Sequence, residues 1–228
     1  MRFNRFIEVM ILSGVFSVIQ IQFSFAQQQK QLSESLQKQV EENLAKAKAM
    51  ESSGDYNQAG YFYNNAATTY WTNGLQNEAI NNFQKVICMY EKIGNRNAIK
   101  NTYSNIGMVY IDMGDYTNAL SYFEKCLSEC RNSNKKPEIA SALINIANTL
   151  SQTRNYDKAI KTLEEATSIA SELNDIKLLR NIYSQLAEDY EKMGNTKKSS
   201  EYFALYTTIT RKVQKGRSKR KRLKQSRL

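Results

Sequence analysis

The sequence contains no histidine. That absence removes Ser-His-Asp and Cys-His catalysis and every metal site that depends on imidazole. Adjacent carboxylates such as Glu164 and Glu165 point in different directions on a helix and read as a solvated face, and no catalytic residue, metal ligand or cofactor is expected. There is one proline, Pro137, in 228 residues. Proline is the main helix breaker, and its scarcity favours a largely helical chain. The three cysteines, Cys88, Cys126 and Cys130, form a poor disulfide framework because their number is odd. Cys126 and Cys130 lie four residues apart on an expected helix, where a bridge is geometrically difficult. All three are read as small apolar helix residues.

Long apolar runs are also lacking, with one exception near the N-terminus. Arg2 and Arg5 form a basic start, and "VMILSGVFSVI" (9–19) is an apolar stretch of eleven residues. This is short of the ~20 residues that cross a bilayer. "SFA" then precedes "QQQK", a small-x-Ala site that predicts cleavage after Ala26. The expectation is an exported protein of a bacterial periplasm. An uncleaved N-terminal anchor, as in a membrane-bound sensory protein, is the alternative.

Positive charge is concentrated in one segment. The net charge is +10, yet residues 211–228, "RKVQKGRSKRKRLKQSRL", hold ten Lys/Arg and no Asp/Glu. Residues 27–210 carry 20 basic and 21 acidic side chains, so the body is close to neutral. The body suits a folded soluble protein with many half-buried aromatics: the chain is 41% hydrophobic, with 14 Tyr, 9 Phe and a mean hydropathy of −0.59.

What the chain has in abundance is repetition. A shift of 40 residues aligns Ala67, Gly107, Ala147 and Ala187; Tyr70, Tyr110, Leu150 and Tyr190; and Gly74, Gly114, Arg154 and Gly194. The same shift aligns Ala79, Ala119, Ala159 and Ser199, then Phe83, Phe123, Leu163 and Phe203. The small residue of the first column lets two helices approach closely. The glycine tolerates the left-handed conformation that ends a helix. The second small residue marks where the next helix crosses, and the aromatic four residues on lies on the same face and fills the layer between units. Turn signals recur every 20 residues, near Gly54, Gly74, Gly94, Gly114, Asn134, Asn155, Asn174 and Gly194, which predicts about nine helices of roughly 16 residues.

These columns resemble the tetratricopeptide repeat. "MGDYTNALSYFEKC" (113–126) matches its glycine, tyrosine, alanine and aromatic positions. "TRNYDKAIKTLEEA" (153–166) replaces the glycine with Arg154, and "MGNTKKSSEYFALY" (193–206) has Thr196 for tyrosine and Ser199 for alanine. The 40-residue unit is similar to the longer-helix variety of kinesin light chains. The resemblance covers residues ~44–210 and implies an all-α, right-handed superhelical solenoid of antiparallel helix pairs. The expected organisation is a leader (1–26), an irregular or capping helix (27–56), repeats at about 57–96, 97–136, 137–176 and 177–210, and a basic tail (211–228).

The resemblance also implies a function: a non-enzymatic scaffold that binds a protein or an extended peptide in a concave groove lined by the first helix of each pair. In kinesin-light-chain-like repeats one position forms an asparagine ladder that grips peptide backbone. Here that column reads Asn65, Asn105, Asn145 and Gln185. A carboxamide both donates and accepts, so it suits a peptide unit whatever its side chain. Four rungs ~10 Å apart would span about nine residues of extended peptide. Neighbouring columns read Thr68, Met108, Asn148, Glu188 and Trp71, Ile111, Ser151, Glu191, apolar at one end and acidic at the other. Met108 and Trp71 are the candidate apolar contacts, Trp71 being equally readable as a core residue. The tail residues Arg217, Lys219, Arg220, Lys221 and Arg222 are candidates for a polyanion such as an anionic membrane surface. The tail has no aromatic for base stacking, which argues against nucleic acid.

Overall fold

The structure, a computed structural model, describes residues 32–225, with side chains to residue 215. The expected leader (1–26) lies outside the described residues. The helices are α1 (Glu34–Ser52), α2 (Tyr56–Thr72), α3 (Gln76–Lys92), α4 (Arg96–Asp112), α5 (Tyr116–Asn132), α6 (Lys136–Gln152), α7 (Tyr156–Glu172), α8 (Ile176–Lys192) and α9 (Thr196–Gln225). No strand occurs among the described residues. Helices α2 to α8 are each 17 residues long, about 25 Å. Each starts 20 residues after the one before.

That regularity has a local cause. Every helix from α1 to α8 is followed by a residue in the left-handed region: Gly54, Gly74, Gly94, Asn134 and so on to Gly194. At the α2–α3 junction the Gly74 N–H donates to the Trp71 carbonyl and the Leu75 N–H to that of Tyr70, closing the helix end. The side chains of Asp55, Asn95, Asp115 and Asp175 then accept backbone N–H bonds of the helix that follows. Arg154 occupies the left-handed position with φ 61°, where a Cβ is strained. Pro137 sits in the first turn of α6, where its missing N–H costs nothing.

Packing follows the 40-residue columns. Helices α2, α4, α6 and α8 are the first members (A helices) of successive pairs, and α3, α5, α7 and α9 the second (B helices). Ala67, Ala147, Ala79, Ala119, Ala159, Phe83, Phe123 and Leu163 are all buried at these crossings. Two apolar clusters result, one from α1 to α4 and one from α5 to α8, and Tyr110 packs against both, so the core is continuous. The architecture is an all-α helical repeat solenoid, and α1 closes its first end through Val40 and Ala47. No described helix is long and apolar enough to cross a membrane.

Two expectations are corrected, those for Phe203 and Ser151. Phe203 is 58% exposed rather than buried, because no described helix covers the outer face of α9. All three cysteines lie on helices and are free, Cys88 exposed on α3 and Cys126 and Cys130 buried on α5. Ser151 is buried and hydrogen-bonded, so it is not a groove contact. The basic segment from residue 211 continues α9 as helix to Gln225.

Candidate functional site

Consecutive A helices come into direct contact, and each junction carries a polar link. Between α2 and α4, the Trp71 indole N–H donates to the Asp112 carboxylate at 2.6 Å. Between α4 and α6, Lys100, only 5% exposed, forms an ion pair with Glu138. Its hydrogen bond holds the Glu138 carboxyl below the ordinary range. Between α6 and α8, the Ser151 hydroxyl donates to Asp189 at 2.8 Å, and Asp189 is completely buried. These links bridge consecutive A helices whose spacing and rotation are set by the packing of the whole junction. Breaking the Lys100–Glu138 or the Ser151–Asp189 link would leave a buried polar group without its partner, whereas Asp112 is exposed and would be met by water.

The four ladder residues stand at one register of α2, α4, α6 and α8, and all are half-buried. The amides of Asn65, Asn105 and Asn145 make no hydrogen bond within the described protein, although their backbone carbonyls serve the helices. Gln185 differs. Its amide N–H donates to Asp189 at 3.1 Å, so this rung is tethered to the buried carboxylate. Burial pushes the Asp189 carboxyl upward, with the Ser151 and Gln185 bonds opposing.

The apolar candidates separate in role. Met108 is 38% exposed on the shared face of the A helices. Trp71 is half-buried, packed edge-on to Phe83 with centroids 6.3 Å apart, and its polar edge is committed to Asp112. It is therefore a junction residue whose remaining surface borders the face. A cavity of about 340 Å³ opens between α4 and α6, lined by Met108, Ile111, Phe123, Asn145, Asn148 and Gln152, among others. One ladder amide and one candidate apolar contact thus share a single pocket. The acidic pair Glu188 and Glu191 is exposed on α8. Glu188 pairs with Lys192 at 2.6 Å. The tail candidates Arg217, Lys219, Arg220, Lys221 and Arg222 lie on the last turns of α9, beyond the described side chains.

Sequence reasoning missed the polar links. Two signals were available. Asp189 falls in the column of Thr69, Val109 and Thr149, where an acid is out of place, whereas the column of Lys100 reads Gly60, Lys100, Ala140, Arg180 and only its small members hint that the position is enclosed. Burial pushes the Cys126 thiol up to about 12 and the Cys130 thiol upward as well, so this buried pair holds almost no thiolate near neutrality.

Comparison with known proteins follows this geometry. Tetratricopeptide repeat family models match residues 61–93, 99–172 and 138–212. A search of curated proteins gives no match. Among solved structures, BtubC (BKLC) from P. vanneervenii is 13% identical with a TM-score of 0.60, covering 80% of this chain and 93% of that one. A putative kinesin light chain of Podosopora anserina, built of nearly identical TPR-like repeats, is 15% identical with a TM-score of 0.57, covering 81% and 100%. The Rap conjugation gene regulator of plasmid pLS20, solved in complex with the Phr* peptide, is 18% identical with a TM-score of 0.52, covering 75% and 53%. At these identities the likeness is one of fold. With its repeats matched over more than half its length and its 40-residue helix pairs stacked as a solenoid, the chain belongs to the tetratricopeptide repeat family.

Proposed function

We propose that this protein is a non-enzymatic scaffold that binds an extended peptide segment of a partner protein along its A-helix face. The observation that carries the reading is the row of unpartnered, half-exposed amides Asn65, Asn105 and Asn145 at one register of consecutive helices. Each can donate to a peptide carbonyl and accept from a peptide N–H. Gln185 contributes less, since one of its donors is engaged by Asp189. Three free rungs over two ~10 Å steps match about six residues of extended chain. The Rap regulator, of similar fold, was solved in complex with a peptide, which is in keeping with a peptide ligand here.

The test is the double variant Asn105→Ala/Asn145→Ala. Against peptides selected from a displayed random decapeptide library, affinity should fall about 30-fold or more, from the loss of several hydrogen bonds worth about 1 kcal/mol each. Stability should change by no more than about 0.5 kcal/mol per site, because neither amide bonds within the protein. Undiminished affinity removes the ladder.

We further propose export with removal of residues 1–26, on the strength of the leader pattern alone. N-terminal sequencing of the protein from cells should find Gln27 first; retention of residues 1–26 would instead indicate the anchored form. A second reading gives α9 a role of its own. From residue 211 its helix runs on to Gln225 with nine cations and no acid, a basic helix suited to an anionic membrane surface. Truncation at residue 210 should abolish salt-sensitive binding to vesicles containing anionic lipid and leave peptide binding intact.

A further inference from the structure

The cavity between α4 and α6 bears on which peptide the face would select. This inference rests on the peptide-binding reading above and specifies its ligand. Met108, Ile111 and Phe123 give the cavity an apolar side, and Asn145, Asn148, Thr149 and Gln152 of α6 line the other. Its volume of about 340 Å³ is roughly twice the ~150 Å³ apolar cavity that takes up benzene, so a leucine, methionine or phenylalanine side chain fits. Met108 is exposed at 38% and unbranched, able to adjust to whichever of these enters. Asn145 belongs to the ladder as well as to this pocket. A peptide whose backbone reaches that rung therefore has a side chain beside the opening.

Charge sets the second feature. Helix α6 has no lysine or arginine after Lys136, and α4 has none after Lys100, whose ammonium is buried against Glu138. No cation from these helices is available at the pocket. One helix further on, α8 exposes Glu188 and Glu191, of which Glu188 alone has an ion-pair partner, Lys192. On the other side of the pocket, Asp112 adds a third carboxylate next to Ile111, using one of its oxygens for Trp71. Acids thus lie on both sides of the pocket, and an acidic segment would be repelled there.

The geometry points to an extended peptide that carries one large apolar side chain and, four or five residues away, a lysine or arginine. The apolar side chain enters the α4–α6 cavity, and the cation reaches Glu188 and Glu191. The separation follows from helix spacing. The cavity lies midway between two A helices and α8 lies one and a half steps on, about 15 Å, or four to five residues at ~3.3 Å each.

The experiment selects decapeptides from a random displayed library on the full chain and measures the enriched ones by fluorescence anisotropy. The expected consensus is Leu, Met, Ile or Phe with Lys or Arg four or five positions away. Replacing the apolar residue with serine should weaken binding about tenfold or more. Replacing the cation should weaken it about threefold, and less at high salt. The protein variant Met108→Asp should lose the apolar preference. Glu188→Lys/Glu191→Lys should invert the charge preference toward Asp or Glu. Enriched peptides that lack this pattern, yet still depend on Asn105 and Asn145, would overturn this inference and leave the peptide-binding reading standing. Failure to enrich any peptide dependent on those amides would overturn both.

Discussion

Replacing Gly107 with alanine tests whether the close crossing of α4 and α5 governs stability as well as the candidate pocket. A Cβ built on Gly107 would stand 2.6 Å from one edge carbon of Phe123, with two more ring carbons at 2.8 and 2.9 Å. Ordinary contact begins near 3.4 Å, so part of the ring must retreat by about 0.8 Å. It has little room, since Phe123 is 1% exposed and packed in the core cluster. Overpacking of this kind costs about 1–3 kcal/mol, while alanine gains about 0.5–1 kcal/mol over glycine inside a helix. The difference spans about 0–2.5 kcal/mol, and because Phe123 has so little room the expectation is a net loss of about 1 kcal/mol or more, at roughly 2–4 °C in Tm per kcal/mol for a chain of this size. Ala67 faces Phe83 in the preceding pair, so the combination is tolerated where the surroundings are fitted to it. In the next pair Ala147 is matched with Leu163. The double variant Gly107→Ala/Phe123→Leu copies that pairing and should recover about 1 kcal/mol relative to the sum of the single variants. Urea unfolding followed by circular dichroism gives all four corners of the cycle. If Gly107→Ala is neutral or stabilising, the contact does not limit the approach of the helices and the reasoning fails.

Two further substitutions probe the turns and the buried acid. Arg154→Gly should stabilise by about 0.5–1 kcal/mol in urea unfolding, because it removes a Cβ from a backbone at φ 61° at a modest entropic cost. Asp189→Asn bears on pH. Burial raises the Asp189 carboxyl above its ordinary 3.8, so the folded state holds this proton more tightly than the unfolded chain does. Its contribution to stability is therefore greatest below the unfolded value, declines as pH rises toward the folded value, and is constant above that. The facing charges, Glu188 and Lys192, are on the same helix and push in opposite directions. The difference between the stability curves of wild type and Asp189→Asn should show the wild type gaining on the variant as pH falls through this window; a difference curve flat from pH 7 to 3 would contradict it.

Much of the architecture was legible in the residues. Gly74, Gly114 and Gly194 mark left-handed positions because few other residues enter that region cheaply, and Ala79, Ala119 and Ala159 mark crossings because larger side chains would hold the helices apart. The asparagine column was legible for the same reason: a fixed 40-residue shift returns to the same face of an equivalent helix. Arg154 shows the limit of such reading. It broke the glycine column, yet the turn formed because packing of the flanking helices outweighs about 1 kcal/mol of local strain.

The sequence by itself determined the local conformation and the repeat register, since turn chemistry and helical periodicity act over a few neighbouring residues. Tertiary structure alone decided which polar groups are spent and which remain free. Lys100 meets Glu138 across 38 positions, Ser151 meets Asp189 across 38, and Trp71 meets Asp112 across 41. Each pairing depends on how one repeat is rotated against the next, a quantity set by packing over the whole junction. The same packing left Asn65, Asn105 and Asn145 without internal partners, tethered Gln185 to Asp189, and left Phe203 uncovered beside no further described helix. A column in the sequence names the residues that share a face, and burial and pairing in three dimensions decide which of them still have hydrogen bonds to offer.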